Sequence, residues 1–170
     1  EVPIISGVAH DSTESLATVR RVPNEPGMAA KVFTMLAEAG VNVDMIVQAS
    51  ASTGTADISF TVPGTAAAKV QEVLQEKQDE LGYQSFDVDA NVGKVAVVGV
   101  GMKTHSGLAA KFFNALSDEG VNVLMISTSE IRIAALVPLG QLNDAVRALH
   151  TAYGLDSDQV EAVVYGGTGR

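Results

Sequence analysis

The sequence predicts an α+β protein that contains two copies of one β-α-β-β-α-β unit, and three observations support this fold class. Residues 27–46 align with residues 107–126 at a constant offset of 80, without a gap, and twelve of the twenty positions are identical. In each copy a short apolar strand precedes a helical pattern, and strands with apolar patterning follow it. A glycine ends each first helix, at Gly40 and Gly120. This order of elements predicts two ferredoxin-like domains in tandem.

Unit one, the first copy, is predicted to have four strands, over residues 17–21, 41–47, 56–62 and 84–89. Its first helix carries an apolar stripe, formed by Ala29, Phe33, Leu36 and Ala37. In the third strand the polar side chains are predicted to face outward: Asp57, Ser59 and Thr61. The second helix carries its apolar face on four residues, Val70, Val73, Leu74 and Leu81.

Unit two, the second copy, is predicted to have strands over residues 95–98, 121–126, 131–137 and 160–165. Its second helix carries Leu142, Val146, Leu149 and Tyr153 on one face. Strands 95–98 and 131–137 are nearly apolar on both faces, although a sheet with both helices on one side leaves its other face to water. A second copy of the chain is predicted to cover that face, which makes the protein a homodimer.

The composition excludes several classes of function. The formal net charge is −9 and aromatic residues make up 5% of the chain, so neither charge nor base stacking favours a nucleic-acid partner. No apolar run approaches the roughly 20 residues that a membrane helix needs, and residues 1–7 do not resemble a signal peptide. The absence of Cys excludes disulfides and Cys-ligated zinc, and it fits a cytoplasmic protein.

The segment between the first strand and the first helix of unit one predicts a binding site for a small zwitterion. Pro26 presets a helical φ, and Gly27 permits close approach of a ligand. The first turn of a helix presents unpaired N–H groups with a positive dipole end, which suits a carboxylate. The next strand carries Asn42, Asp44 and Gln48, and Asp44 or nearby carbonyls would take an ammonium group.

No catalytic set, metal site or cofactor site is predicted. His10, His105 and His150 are scattered and show no ligand spacing. A self-contained enzyme on this fold, such as a small acyl-phosphate hydrolase, would need a basic anion cradle. The candidates for that cradle, Arg20 and Arg21, lie on or beside a strand without a phosphate loop.

Several motifs resemble those of a known family. A strand, then Asn24-Glu-Pro-Gly27 opening a helix, then Gly40-Val-Asn-Val43 resembles the ACT domain, a small-molecule-binding regulatory module. The tandem ACT region of aspartate kinases is more similar still, in the motifs Gly101-Met-Lys-Thr-His105, Ile126-Ser-Thr-Ser-Glu-Ile-Arg-Ile133, Ala148-Leu-His150 and Ala162-Val-Val-Tyr-Gly-Gly-Thr-Gly-Arg170. The resemblance covers the whole chain.

The resemblance implies that the first ACT domain, residues 15–92, is inserted into the second, which comprises residues 93–170 and an N-terminal strand within 1–14. Residues 4–9 would therefore pair with the sheet of unit two. The resemblance also implies that threonine and lysine bind at interfaces between ACT units of two chains as feedback inhibitors. The catalytic partner would be the kinase subunit or domain of aspartate kinase. A regulatory subunit of a different biosynthetic enzyme is the alternative.

The resemblance assigns effector-binding residues by position. In unit one they are Asn24, Gly27, Met28, Ala29, Asn42, Asp44 and Gln48. In unit two they are Met102, Lys103, Thr104, His105, Asn122, Ile126, Ser129 and Glu130, and Glu130 would meet an effector's ammonium.

Three positions depart from the family pattern. Asn24 stands where the family usually has Asp, Ser106 replaces the expected Pro, and Leu124 replaces a commonly acidic residue. Asn42 and Asn122 have an alternative role, which is to cap the turns after Gly40 and Gly120.

Overall fold

The computed structural model describes residues 4–102, 105–155 and 163–167. The described residues form two compact units. Unit one comprises residues 14–90, and unit two comprises residues 4–13 together with the described part of 91–167. Unit one is therefore an insertion in the chain of unit two.

Unit one is a four-stranded antiparallel sheet with its helices packed against one face. Its elements are β2 (Glu14–Pro23), α1 (Met28–Glu38), β3 (Ile46–Ser50), β4 (Thr55–Pro63), α2 (Ala67–Glu76), α3 (Gln78–Leu81) and β5 (Ser85–Asp89). The strand order is β3-β4-β2-β5, the order expected of a ferredoxin-like domain. Helix α1 ends at a left-handed glycine, Gly40 with φ 78°, as the sequence predicts.

Helix α1 follows the predicted stripe at three of its four positions, because Leu36 is buried and Ala29 and Phe33 pack against the core. Val32 and Leu36 are buried, whereas Ala37 is exposed. The two buried residues are four apart, so they lie one above the other on the face toward the sheet. The prediction gave Ala37 an inward position because alanine is apolar, but its small side chain gains little from burial.

The structure also differs from two predictions for the strands of unit one. Residues 41–45 do not belong to a strand, because β3 begins at Ile46. Thr61 is fully buried, although the alternation predicts that it faces outward. Its hydroxyl accepts a hydrogen bond from the Met45 N–H at 3.0 Å, and this bond satisfies the hydroxyl in the interior.

Unit two repeats the same scaffold with one added strand. Its elements are β1 (Ile4–Asp11), β6 (Val92–Val100), α4 (Gly107–Asp118), β7 (Met125–Thr128), β8 (Arg132–Pro138), α5 (Leu142–Ala152) and β9 (Val163–Gly167). The strand order is β7-β8-β6-β1-β9, with β1 antiparallel to β6 and parallel to β9. The predicted pairing of residues 4–9 with this sheet is confirmed. Of the predicted strand over 160–165, residues 160–162 lie outside the described residues.

The helix-facing side of the unit-two sheet holds the core of this unit. Val95, Val97 and Ile133 pack there with Phe112 of α4 and Leu149 of α5. The opposite face carries other apolar side chains that the single chain already buries: Ala96, Ala134 and Leu136. The apolar character of this face therefore gives no argument for a second copy of the chain.

Candidate functional site

The start of α1 forms a polar, exposed mouth, which comprises residues 24–27 and the first turn of α1. Gly27, with φ 91°, is the N-cap residue and carries no side chain that could accept from the first-turn N–H groups. Asn24 joins this loop to the edge strand: its Nδ2 donates to Ser50 Oγ at 3.2 Å, and its Oδ1 accepts from Gln48 Nε2 at 3.4 Å. An added methyl group at Gly27 would meet no atom within 4 Å, so the mouth has room for a ligand group.

The structure brings Asn24, Gln48 and Gly27 together but leaves Asn42 and Asp44 at the opposite end of α1. Val41 donates its N–H to Leu36 O at 2.9 Å, which places the following residues beside the last turn of the helix. Eleven helical residues span roughly 16 Å, so Asp44 cannot reach a ligand at the mouth of its own α1.

Asp44 lies next to β3, which is an edge strand. Among the strands of the described residues, β3 pairs with β4 alone, and all five residues of β3 are exposed. Ile46 and Val47 expose 52% and 39% of their surface, which is high for apolar residues. A free edge with exposed apolar side chains is a template for pairing with another strand.

In unit two the equivalent region forms a cavity of about 590 Å³. It lies between the loop after β6, the first turn of α4 and the β7–β8 turn. The described residues that line it are Met102, His105, Ser106, Ala109, Thr128, Ser129, Glu130 and Ile133. We refer to this space as the unit-two cavity.

Two hydrogen bonds fix the walls of the unit-two cavity. Met102 donates its N–H to Glu130 O at 3.3 Å, which ties the β6–α4 loop to the β7–β8 turn. His105 Nδ1 lies 2.8 Å from Gly101 O, and because a carbonyl only accepts, Nδ1 carries the hydrogen. The loop and the turn therefore hold each other.

The lining combines one carboxylate with hydroxyls and an apolar floor. Among the described lining residues Glu130 is the only acid, so it is the group that can pair with an ammonium. Met102, Ala109 and Ile133 supply the apolar contacts that a short aliphatic side chain needs. The cavity can thus hold a small amine with an apolar part.

Four predicted residues of unit two line this cavity: Met102, His105, Ser129 and Glu130. Lys103 and Thr104 lie outside the described residues. Asn122 lies at the other end of α4, where its N–H donates to Gln141 Oε1 at 2.8 Å, and Ile126 is exposed and does not line the cavity.

The prediction missed four lining residues: Ser106, Ala109, Thr128 and Ile133. Thr128 lies inside the Ile126–Glu130 motif, and Ser106 is the position that departs from the family pattern, so both carried a usable signal. Ala109 and Ile133 resemble ordinary core residues and carried none.

Two negative findings apply to the described residues only. No group of three or more His, Asp or Glu side chains in that part of the chain is arranged to hold a metal ion. No helix within the described ranges is both long and apolar enough to cross a membrane.

Comparisons with known proteins identify both units. Two family models described as ACT domain match residues 17–82 and residues 95–153. The aspartokinase of Mycolicibacterium smegmatis is 45% identical over 172 residues, which cover 100% of this chain and 41% of that protein. The chain thus spans about two fifths of the length of the curated relatives it matches.

Two crystal structures are similar over nearly their whole length. One, of aspartokinase alpha and beta subunits, is 43% identical with a TM-score of 0.83, and the match covers 88% of this chain and 99% of that one. The other is the ligand-free regulatory subunit of aspartate kinase from Thermus thermophilus, which is 36% identical with the same TM-score and the same coverage.

Proposed function

Because the chain belongs to the aspartokinase family and consists of two ACT domains of its regulatory region, we propose that it senses lysine and threonine for feedback inhibition. Its partner is the kinase part of aspartate kinase, which phosphorylates the side-chain carboxylate of aspartate with ATP in the cytoplasm. Effector binding favours one arrangement of the regulatory domains, and the kinase responds to it. Such coupling is typically about 1–3 kcal/mol.

One observation carries the proposal: the mouth of α1 and the acid that should complete it lie at opposite ends of the helix. The mouth offers first-turn N–H groups with Asn24 and Gln48, which suit a carboxylate and a hydroxyl. Asp44, which suits an ammonium, lies beside the start of the exposed edge strand β3. A zwitterion can engage both groups only if the acid comes from a second copy.

Antiparallel pairing of β3 with β3 of a second copy supplies that geometry. If the pairing is centred near Val47, Asp44 of one copy lies opposite Ser50 of the other, and Ser50 accepts a hydrogen bond from Asn24 at the mouth. The pairing also buries Ile46 and Val47, which the single chain exposes. Each dimer then holds two equivalent unit-one sites, related by the two-fold axis.

The unit-two cavity is the second effector site of the proposal. Glu130 takes the ammonium, and the hydroxyls of Thr128 and Ser129 with the start of α4 take the polar groups of the ligand. The apolar floor accepts the aliphatic part of lysine or threonine.

Mixing two variants tests whether the unit-one site is built from two copies. Gly27→Ala places a methyl group where the carboxylate would lie, and Asp44→Ala removes the acid. Each variant alone should bind threonine at least about tenfold more weakly, because a charged hydrogen bond is worth roughly 1.5–3 kcal/mol. When the two are mixed and re-equilibrated, half the dimers are mixed and hold one intact site of two. Calorimetry of the mixture should therefore detect about a quarter of the number of threonine sites that the wild type has.

Gly154→Ala is the matched control for the backbone change at Gly27. Gly154 belongs to unit two, it also has a positive φ, 70°, and an added methyl group there meets no atom within 4 Å. This variant should bind threonine as the wild type does. If mixing recovers no sites although each variant stays folded, the site lies within one copy and the two-copy proposal is wrong.

A further inference from the structure

Tyr153 does not line the unit-two cavity, but its side chain contacts the helix that forms one of the cavity walls. Tyr153 follows α5, and its hydroxyl donates to the carbonyl of Leu108 in the first turn of α4, at 2.8 Å. Lys111, which also belongs to α4, places its amino group 5.1 Å from the centre of the Tyr153 ring. One aromatic side chain thus holds the end of α4 that borders the unit-two cavity.

A chain of hydrogen bonds continues from this contact to the cavity wall. Leu108 donates its N–H to His105 O at 3.2 Å, and His105 Nδ1 donates to Gly101 O at 2.8 Å. His105 lines the cavity, and Ala109, the residue after Leu108, lines it as well. A shift of the Leu108 carbonyl would therefore move two lining residues.

The phenol is a permanent donor in this position. Burial raises the pKa of Tyr153 to about 12, because the charged form would lose its hydration. The backbone around Tyr153 is also fixed: its N–H donates to Leu149 O at 3.1 Å, and Leu155 donates to His150 O at 2.8 Å. The backbone that carries the tyrosine is thus held to the last turn of α5.

We propose that Tyr153 is a positioning residue for the unit-two cavity, which sets the first turn of α4 and, through it, the place of His105 in the wall. The part of this inference that concerns effector affinity rests on the proposed function. The part that concerns His105 does not, because it is a statement about hydrogen bonds within unit two.

Tyr153→Phe removes the donor and keeps the ring, so it is the direct test. In the full 170-residue chain labelled with ¹³C-histidine, the ring resonance of His105, assigned with His105→Gln, should move in this variant. The affinity for threonine or lysine in the cavity should fall about three- to tenfold, the usual effect of one lost hydrogen bond. The melting curve of each variant shows whether it is folded.

Tyr83→Phe is the matched control. Tyr83 Oη donates to Leu74 O at 2.6 Å in unit one, so this variant also loses one buried tyrosine hydrogen bond. It should destabilise unit one without moving the His105 resonance or the cavity affinity. An equal effect of both variants on His105 would show a general loss of stability and overturn the inference.

The remaining outcomes are distinct. If Tyr153→Phe leaves both the His105 resonance and the affinity unchanged, Tyr153 does not position the wall. If the wild-type chain binds neither amino acid but Tyr153→Phe still moves the His105 resonance, the proposed function fails and the positioning role stands. If Tyr153→Phe does not fold, Lys111→Met removes the cation from the ring instead, and it should move the His105 resonance in the same direction by less.

Discussion

The mouth of unit one and the unit-two cavity differ far more than the sheets and helices that carry them. In unit one the loop before α1 is short, and its polar groups are exposed and lie against an edge strand. In unit two the loop before α4 has more residues, and its described residues Met102, His105 and Ser106 line a cavity with an apolar floor. A duplicated domain can thus keep its sheet and helices while its binding loop changes, because the loop contributes little to the core.

The cores of the two units differ at one matched pair of positions. In unit two Gly93 lies under Leu142, the first residue of α5, and an added Cβ at Gly93 would lie 2.8 Å from a Leu142 methyl carbon. In unit one the corresponding strand residue is Ser15, opposite Val62, and the first residue of the second helix is Ala67. The larger side chain of the pair thus lies on the helix in unit two and on the strand in unit one.

The largest expected effect is on the unit-two cavity, where one carboxylate faces an apolar floor. Glu130→Gln keeps the shape and removes the charge, so the affinity for lysine or threonine in this cavity should fall about 10- to 100-fold. Calorimetry on the full chain measures it, with Glu119→Gln as the control at the other end of α4. Unchanged affinities for both amino acids would show that the cavity is not an effector site. The structural difference between the unit-one mouth and the unit-two cavity would then have no role in effector binding.

The next effect concerns the matched core pair. Gly93→Ala should lower the free energy of unfolding by about 1–3 kcal/mol, because the added atom would lie 2.8 and 3.1 Å from the two methyl carbons of Leu142. In a Leu142→Ala background the same change should cost much less, and chemical denaturation of the four proteins gives the coupling. Gly140→Ala, where an added methyl group meets no atom within 4 Å, should be nearly neutral. Additive effects of Gly93→Ala and Leu142→Ala would show that the two positions do not share one volume.

A third effect is the loss of the Tyr153 contribution to the stability of unit two at high pH. The folded-state pKa of Tyr153 is raised to about 12, above the ordinary tyrosine value of 10.0, so the unfolded chain ionises first as the pH rises. The Tyr153 contribution is complete below pH 10, is lost as the pH rises toward 12, and should amount to about 1 kcal/mol because the ring is only partly buried. The difference between wild type and Tyr153→Phe, measured by denaturation from pH 8 to pH 12, should shrink over this range. A constant difference would contradict the burial of the phenol.

The sequence predicts the fold of both units well because their patterns are local. The repeat, the glycines that end the first helices and the apolar alternation of β4 fix the order of elements. The errors have physical causes: Thr61 is polar but buried, because its hydroxyl has a partner 16 positions earlier in the chain, and Ala37 is apolar but exposed. Hydrophobic periodicity indicates neither the hydrogen-bond partner of a hydroxyl nor the exposed fraction of an alanine.

The candidate site is predicted less completely because it depends on which end of a helix each residue reaches. Asn42 follows the last turn of α1, and Asp44 donates its N–H to Thr61 O near the end of β4, whereas the mouth lies beside Gly54, before β4 begins. Ser129 and Glu130 line the unit-two cavity because a short turn carries them to the start of α4. Ala109 and Ile133 are missed because a cavity floor has the same composition as a core.

The smallest expected effect tests whether the mouth of unit one is held open before any ligand arrives. The hydrogen bonds of Asn24 to Ser50 and Gln48 are exposed and 3.2 and 3.4 Å long, so water competes with both of them. Asn24→Ala should therefore lower the free energy of unfolding by no more than about 0.5 kcal/mol, less than Tyr153→Phe lowers it in unit two. Thermal melting of the two variants beside the wild type makes the comparison. A larger loss for Asn24→Ala would mean that the unit-one mouth is as rigid as the unit-two cavity, and that its exposed groups are ordered without a second copy.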